Sequence, residues 1–322
     1  MTPAGARIGP GLALATLGAI AFSGKAILAK LMYLHGVDAV QVLFWRMLLA
    51  LPLFLALAWW AGRGKSAFTA RDWRAIVGLG FCGYYLASML DFMGLQYISA
   101  SLERLILYLN PTLVLLLSVL LFKLRHVGPG SLRSRPPRGV QAAWERPGAG
   151  LSMRHLAAMA LSYAGVLLVF GQEVHVEGSD TALGAALVFA SAASYAVYLV
   201  ASGHVVKRLG ALRLTGAATS VACLFCIAQL FVLRPPSAVS VPEPVLWLSL
   251  LNATLCTFAP VLMVMMAIER IGPTLAAQAS MVGPMSTVLL GVWLLGESFT
   301  GWLVAGTALV LTGVWLLTRW RT

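Results

Sequence analysis

Six ionisable side chains stand inside long apolar stretches of this 322-residue chain: Lys25, Lys30, Arg46, Asp91, Glu103 and Arg104. A charge placed at the middle of a hydrocarbon layer costs roughly 2.5–3.5 kcal/mol on insertion scales, so each needs a function or a partner. Three chemistries fit the set. Lys25 and Arg46 can meet a carboxylate or phosphate, Arg46 with a bidentate fork and Lys25 as a point charge. Asp91 or Glu103 can take up and release a proton, coupling its entry to movement of a solute. Or the groups pair among themselves, Arg46 with Asp91 or Glu103, and Arg104 with interfacial water. Lys25 has no acid nearby in its own apolar stretch, which sets it apart. Lys30 lies near enough to a stretch end to snorkel.

Softer polar groups accompany them: Tyr84, Tyr85, Tyr108, Asn110, Tyr195, Tyr198 and Gln278. In an otherwise apolar pocket they would orient a small ligand, and each can equally serve packing or an interhelical hydrogen bond. Pro111 and Pro284 interrupt two apolar stretches and should free backbone carbonyls there, as in carriers, or simply kink the helix. Cys82, Cys223, Cys226 and Cys256 all fall in apolar stretches. Cys223 and Cys226 form a C-x-x-C without a second pair or a nearby His, so they read as small hydrophobes. The five His (35, 126, 155, 175, 204) are scattered, and no metalloprotease, nucleophile-elbow or phosphate-loop motif appears. Neither a cofactor nor a metal is expected. An enzyme lacks its constellation, a channel its polar stripe, and an ATP-driven pump its nucleotide domain.

The elements that must position these groups follow from composition. Sixty per cent of the residues are hydrophobic and 11% charged, with a mean hydropathy of +0.86, whereas soluble domains carry about a quarter charged residues. The apolar residues come in blocks of about twenty, the length that lets a helix cross a bilayer with its backbone satisfied internally. Ten blocks are expected to span, at about 11–34, 38–60, 75–97, 100–122, 155–171, 181–204, 212–233, 245–268, 272–295 and 300–319. The first has no small-residue cleavage site at its end and reads as a retained helix. Trp59, Trp60, Trp73, Trp302 and Trp320 lie at block ends, as interfacial anchors do.

The net charge of +12 suggests nucleic acid only until its placement is read. With the N-terminus inside, the inward segments hold eighteen of the 23 Lys and Arg, the outward ones hold Arg234 alone, and four lie within spans. Basic segments resist translocation, so both termini are expected in the cytoplasm of a bacterial inner (plasma) membrane, with lipid as the partner and no nucleic acid.

An internal repeat is also legible. An offset of 173 sets Pro111 on Pro284, Ile98 on Ile271, Ser101 on Thr274, Leu102 on Leu275 and Phe22 on Tyr195. Farther on, LSYAGVLLVF (161–170) matches LVLTGVWLLT (309–318) at an offset of 148. The shift between offsets is absorbed by a basic, Pro- and Gly-rich stretch at 124–151. Five spans per repeat is odd, so the second repeat should sit upside down, with a solute site between the halves.

Two stretches then show a family likeness: GLQYISASLERLILYLNPTLVLLLS (94–118) and ERIGPTLAAQASMVGPMSTVLLGVWLLGES (269–298). With their membrane prolines and the terminal Gly296–Glu297, the chain resembles the drug/metabolite transporter superfamily, EamA type. That resemblance implies a ten-helix carrier with a central cavity, usually exporting amino acids, their relatives or other small metabolites. Import or exchange of another solute, such as a nucleobase or phosphorylated metabolite, remains the alternative. Where the second half has Gly296–Glu297 the first has Lys123–Leu124. The expected organisation is an all-α membrane protein with two inverted five-helix repeats. Residues 1–123 hold spans 1 to 4, 124–151 a disordered cytoplasmic loop, 152–175 span 5 and 180–322 the second repeat.

Overall fold

The computed structural model describes residues 8–126, 153–177, 180–279 and 282–319, and the described residues are helices joined by turns. The helices are α1 (Ile8–Tyr33), α2 (Ala39–Gly62), α3 (Ala70–Leu79), α4 (Ala87–Gly94), α5 (Ala100–Leu107), α6 (Asn110–His126) and α7 (Met153–Glu177). They continue as α8 (Asp180–Leu209), α9 (Ala211–Leu233), α10 (Glu243–Ala253), α11 (Ala259–Ala279), α12 (Val282–Leu295) and α13 (Gly301–Arg319). A π-helical segment, Gly80–Leu86, joins α3 to α4, and another, Thr254–Phe258, joins α10 to α11. Among the described residues, 8 helical runs are long and apolar enough to cross a membrane, and Val282–Leu295 and Gly301–Leu316 are shorter apolar helices. The exposed face carries leucines and tryptophans, Trp59, Trp60, Trp73 and Trp302 among them.

Local chemistry starts several of these helices. Asp38 caps α2 and Thr69 caps α3, each in a reciprocal capping box with the residue three positions on. Ser99 caps α5, accepting from the Leu102 N–H at 3.0 Å. α5 ends at Leu107 and α6 begins at Asn110, which places Pro111 in a first turn, where its missing N–H costs nothing. Likewise α11 ends at Ala279 and α12 begins at Val282, with Pro284 in its first turn.

Residues 269–271, expected as a connection between spans, are instead helical and belong to α11, which carries Gly272 and Pro273 within it. The counterpart of Gly272 in the first half is Ser99. Without a side-chain oxygen at 272, nothing there caps a separate helix. The basic loop expected at 124–151 lies outside the described residues, apart from the last turn of α6.

Packing follows one rule. α2 lies along α9, and α7 along α13. α1 packs on α11 and α12, while α8 packs on α4, α5 and α6. These partners exchange when each helix is replaced by the one 173 or 148 residues away. The two π segments obey the same offset, since Gly80–Leu86 maps onto 253–259. Small residues make the closest crossings. A Cβ on Gly216 of α9 would stand 2.8 Å from the Ala58 nitrogen of α2, and one on Gly165 of α7 would stand 2.6 Å from the Gly306 oxygen of α13. Dispersion between backbones drives such contacts where lipid competes for every larger side chain.

Contacts between connections divide the molecule into two ends. At one end Arg234 pairs with Asp38, Gln41 donates to the Ala238 carbonyl at 3.0 Å, and Glu173 and Glu297 both reach the start of α5. At the other, Arg208 pairs with Asp72 and Arg213 donates to the Ser66 carbonyl at 2.8 Å.

Candidate functional site

The buried charges converge. Lys25, on α1 beside Gly24, donates to Asp91 of α4 and stands 3.4 Å from Glu103 of α5. Arg104 follows on α5, its Nε 4.0 Å from the Glu103 carboxylate. Glu103 is wholly buried and the other three are nearly so. Arg104 crosses to the second half, donating through Nε to Thr287 of α12 at 3.0 Å, and its Nη2 donates to the Phe22 carbonyl of α1 at 3.1 Å. The expectation of interfacial water around Arg104 is thus corrected. Its helix turns it inward, and a guanidinium with five donors needs these acceptors once water is excluded.

Arg46 takes a different partner from those expected. Lys25 holds Asp91 and Glu103, so Arg46 forms no ion pair with either among the described residues. Its Nε donates to Thr257 Oγ1 at 2.9 Å, and its Cζ lies 4.9 Å from the Phe92 ring centroid. Lys25 Nζ lies 5.5 Å from the same ring. A fully desolvated cation gains about 2 kcal/mol or more from such a face. Thr257 lies in the second π segment and donates to the Asn252 carbonyl at 2.7 Å. The Asn252 amide in turn reaches the Lys25 carbonyl at 3.3 Å. Widened turns re-aim side chains in this way and recur at functional sites.

Among the described residues, five buried polar atoms here lack a hydrogen-bond partner: Arg46 Nη1, Asn252 Oδ1, Asp91 Oδ1 and both Glu103 carboxylate oxygens, the last two facing cations at 3.4 and 4.0 Å. Ionised, Lys25, Arg46 and Arg104 outnumber Asp91 and Glu103 by one positive charge. The arrangement therefore offers an unfilled guanidinium donor beside unfilled carboxylate acceptors in a water-poor core, with one surplus cation, which suits a small ligand carrying both an anionic group and a donor.

The softer candidates are dispersed. Tyr84, Tyr195 and Tyr198 form a separate cluster, with the Tyr84 and Tyr198 hydroxyls 3.1 Å apart and Tyr195 stacked on Tyr198 at 5.4 Å. Under the 173 offset this cluster stands where the charges stand in the other half: Tyr198 for Lys25, Tyr195 for Phe22, Tyr84 for Thr257. Tyr85 packs between Phe81 and Phe225. The Tyr108 hydroxyl lies against the bare backbone of Gly283. Asn110 donates to its own turn at Leu107 (2.9 Å), its Oδ1 buried without a partner. Gln278 lies on α11, and its side chain is outside the described ones. Cys223 and Cys226 are free and buried in the core with Met47. A groove of about 430 Å³ beside α6 and α8 is walled by apolar side chains, Leu113, Leu116, Leu120 and Val197 among them.

Sequence reasoning missed Thr257, Asn252, Thr287 and Phe92, which supply the cluster's uncharged walls. Pairing Thr257 with Tyr84 by the offset was the available signal.

A helical membrane protein with buried, cross-braced charges is the architecture of a solute transporter. The sequence profile of the EamA-like transporter family matches residues 9–125 and 182–319, and the chain belongs to that family. An uncharacterized transporter of Bacillus subtilis, YcbK, is 29% identical over 288 residues, covering 87% of this chain and 84% of that one. An uncharacterized transporter of Archaeoglobus fulgidus is 24% identical over 301 residues, covering 92% and 93%. A crystal structure described only as that of a protein shares the fold with a TM-score of 0.62, at 19% identity over 97% of both chains. The chain is a multi-span membrane transporter and not an enzyme.

Proposed function

We propose that the protein is a secondary carrier of ten spans in two inverted five-helix repeats, working by alternating access between the halves. Both termini lie in the cytoplasm, and the net direction is export of small metabolites, amino acids and their relatives first among them. The single observation that carries the reading is the unpartnered, buried Arg46 Nη1 beside the Lys25–Asp91–Glu103 cluster. Arg46 receives the substrate's carboxylate, and a substrate amine competes with Lys25 for Asp91 and Glu103. Those carboxylates also exchange the coupling proton. The two stretches matched by one family profile, the exchanged packing partners and the paired π segments support the repeat. The bias of Lys and Arg supports the orientation.

The test is metabolite release. Wild-type protein and Arg46→Ala are expressed in a bacterium, and compounds accumulating in the medium are compared at equal membrane abundance. A carboxylate-bearing compound released only with the wild type is the expected result. Equal release from both would sink the role of Arg46, and release of phosphorylated compounds instead would favour the alternative solute.

A further inference from the structure

We infer that Glu297 and the start of α5 form a latch closing one end of the carrier, and that the residues related to it by the 173 offset do not build a counterpart at the opposite end. The first N–H groups of a helix have no partner within it and carry its positive dipole end. At α5 those groups are taken by a carboxylate from the other half of the chain. Glu297 Oε1 accepts the Ala100 N–H at 2.6 Å, while Oε2 accepts the Ser101 hydroxyl at 2.6 Å and its N–H at 3.3 Å. Glu173, at the end of α7, takes the Ser99 N–H at 3.3 Å and the Ser99 hydroxyl. Charge-assisted bonds of this kind are about twice as strong as neutral ones.

The carboxylate is placed there by the end of α12. Gly296 adopts φ +67 and the Glu297 N–H returns to the Gly291 carbonyl at 3.1 Å, a left-handed helix stop that turns the side chain back along the helix. Gly291 leaves room for it, since a Cβ at that position would stand 2.6 Å from Glu297 Oε2. One turn further along α5 are Glu103 and Arg104. The helix that is latched is thus the helix that carries half of the charge cluster, and it cannot move away from α12 without breaking both sets of bonds.

The 173 offset identifies what the other end would need. Glu297 maps onto Leu124, Gly296 onto Lys123, Ser99 onto Gly272 and Ala100 onto Pro273. Carboxylate, turn glycine, capping serine and first N–H are all replaced. The latched end is also the end with the fewest basic residues, so the resting carrier is closed outside and opens toward the cytoplasm.

This inference rests on alternating access as proposed above. The test uses the whole protein with Cys256 as its single cysteine, since that thiol lies against Gly24 beside the charge cluster. Labelling by a membrane-impermeant charged methanethiosulfonate is timed from each face, in right-side-out and inside-out vesicles. Glu297→Ala should raise the ratio of outside to inside rates roughly tenfold, and Gly291→Ala, which displaces the carboxylate while keeping it, should act in the same direction. An unchanged ratio, a shift toward the inside, or an equal rise from both faces overturns the latch and leaves alternating access standing. No labelling from either face in any variant overturns alternating access together with it.

Discussion

Lys25 donates to Asp91 across the interface of α1 and α4, and that bond removes from Arg46 the carboxylate it would otherwise meet. The consequence is a division of labour between two cations that share one aromatic ring, Phe92. The ammonium is engaged and the guanidinium keeps a free donor.

Replacing Lys25 by Met leaves the Asp91 carboxylate buried without its cation and Glu103 with Arg104 alone. Breaking a buried pair typically costs about 3–5 kcal/mol, while removing both partners costs far less. Lys25→Met should therefore lower the melting temperature in detergent more than the double variant Lys25→Met, Asp91→Asn. Equal losses would mean that the pair contributes nothing in the folded state.

At Arg46 the geometry of the fork matters as well as the charge. Arg46→Lys retains the cation but cannot hold Thr257 through Nε while presenting a second donor. KM for the exported carboxylate should rise roughly tenfold, the effect of losing about 1.4 kcal/mol, with little change in melting temperature. A kinetically silent Arg46→Lys would place the binding group elsewhere.

Glu103→Gln removes one exchangeable proton from the cluster while keeping its shape. Transport driven by a pH gradient should be lost, and exchange of labelled for unlabelled substrate should persist. Export that follows the pH gradient as in the wild type would exclude Glu103 as the coupling group.

The α2–α9 crossing depends on Gly216. A valine there meets the Ala58 backbone, where only a shift of the whole helix relieves the overlap, and overpacking of this kind costs about 1–3 kcal/mol or more. Gly216→Val should reduce folded yield and thermal stability in detergent. Gly9→Val, at a position with nothing within 4 Å, should leave both unchanged. Similar losses for both would show that the crossing is not specific.

What was legible in one dimension follows from solvents. Hydrocarbon demands long apolar helices, and translocation penalises Lys and Arg. Span positions and the charge bias could therefore be read residue by residue, without knowing any neighbour. The fixed offset that pairs Pro111 with Pro284 and Ile98 with Ile271 could be read in the same way, and the packing partners follow it.

The charge cluster was legible only as an inventory. Lys25, Arg46, Asp91 and Glu103 were visible as charges in the wrong solvent, because that cost is a property of each residue alone. Which of them pair depends on how α1, α2, α4 and α5 are rotated and how closely small residues let them approach. Tertiary packing alone decided that Lys25 holds both carboxylates, that Arg104 is buried against Thr287, and that Arg46 keeps an unfilled donor. It also brought Glu297 onto Ala100, 197 positions away in sequence. No local pattern encodes such a contact, since its energy arises only once two distant helix ends meet.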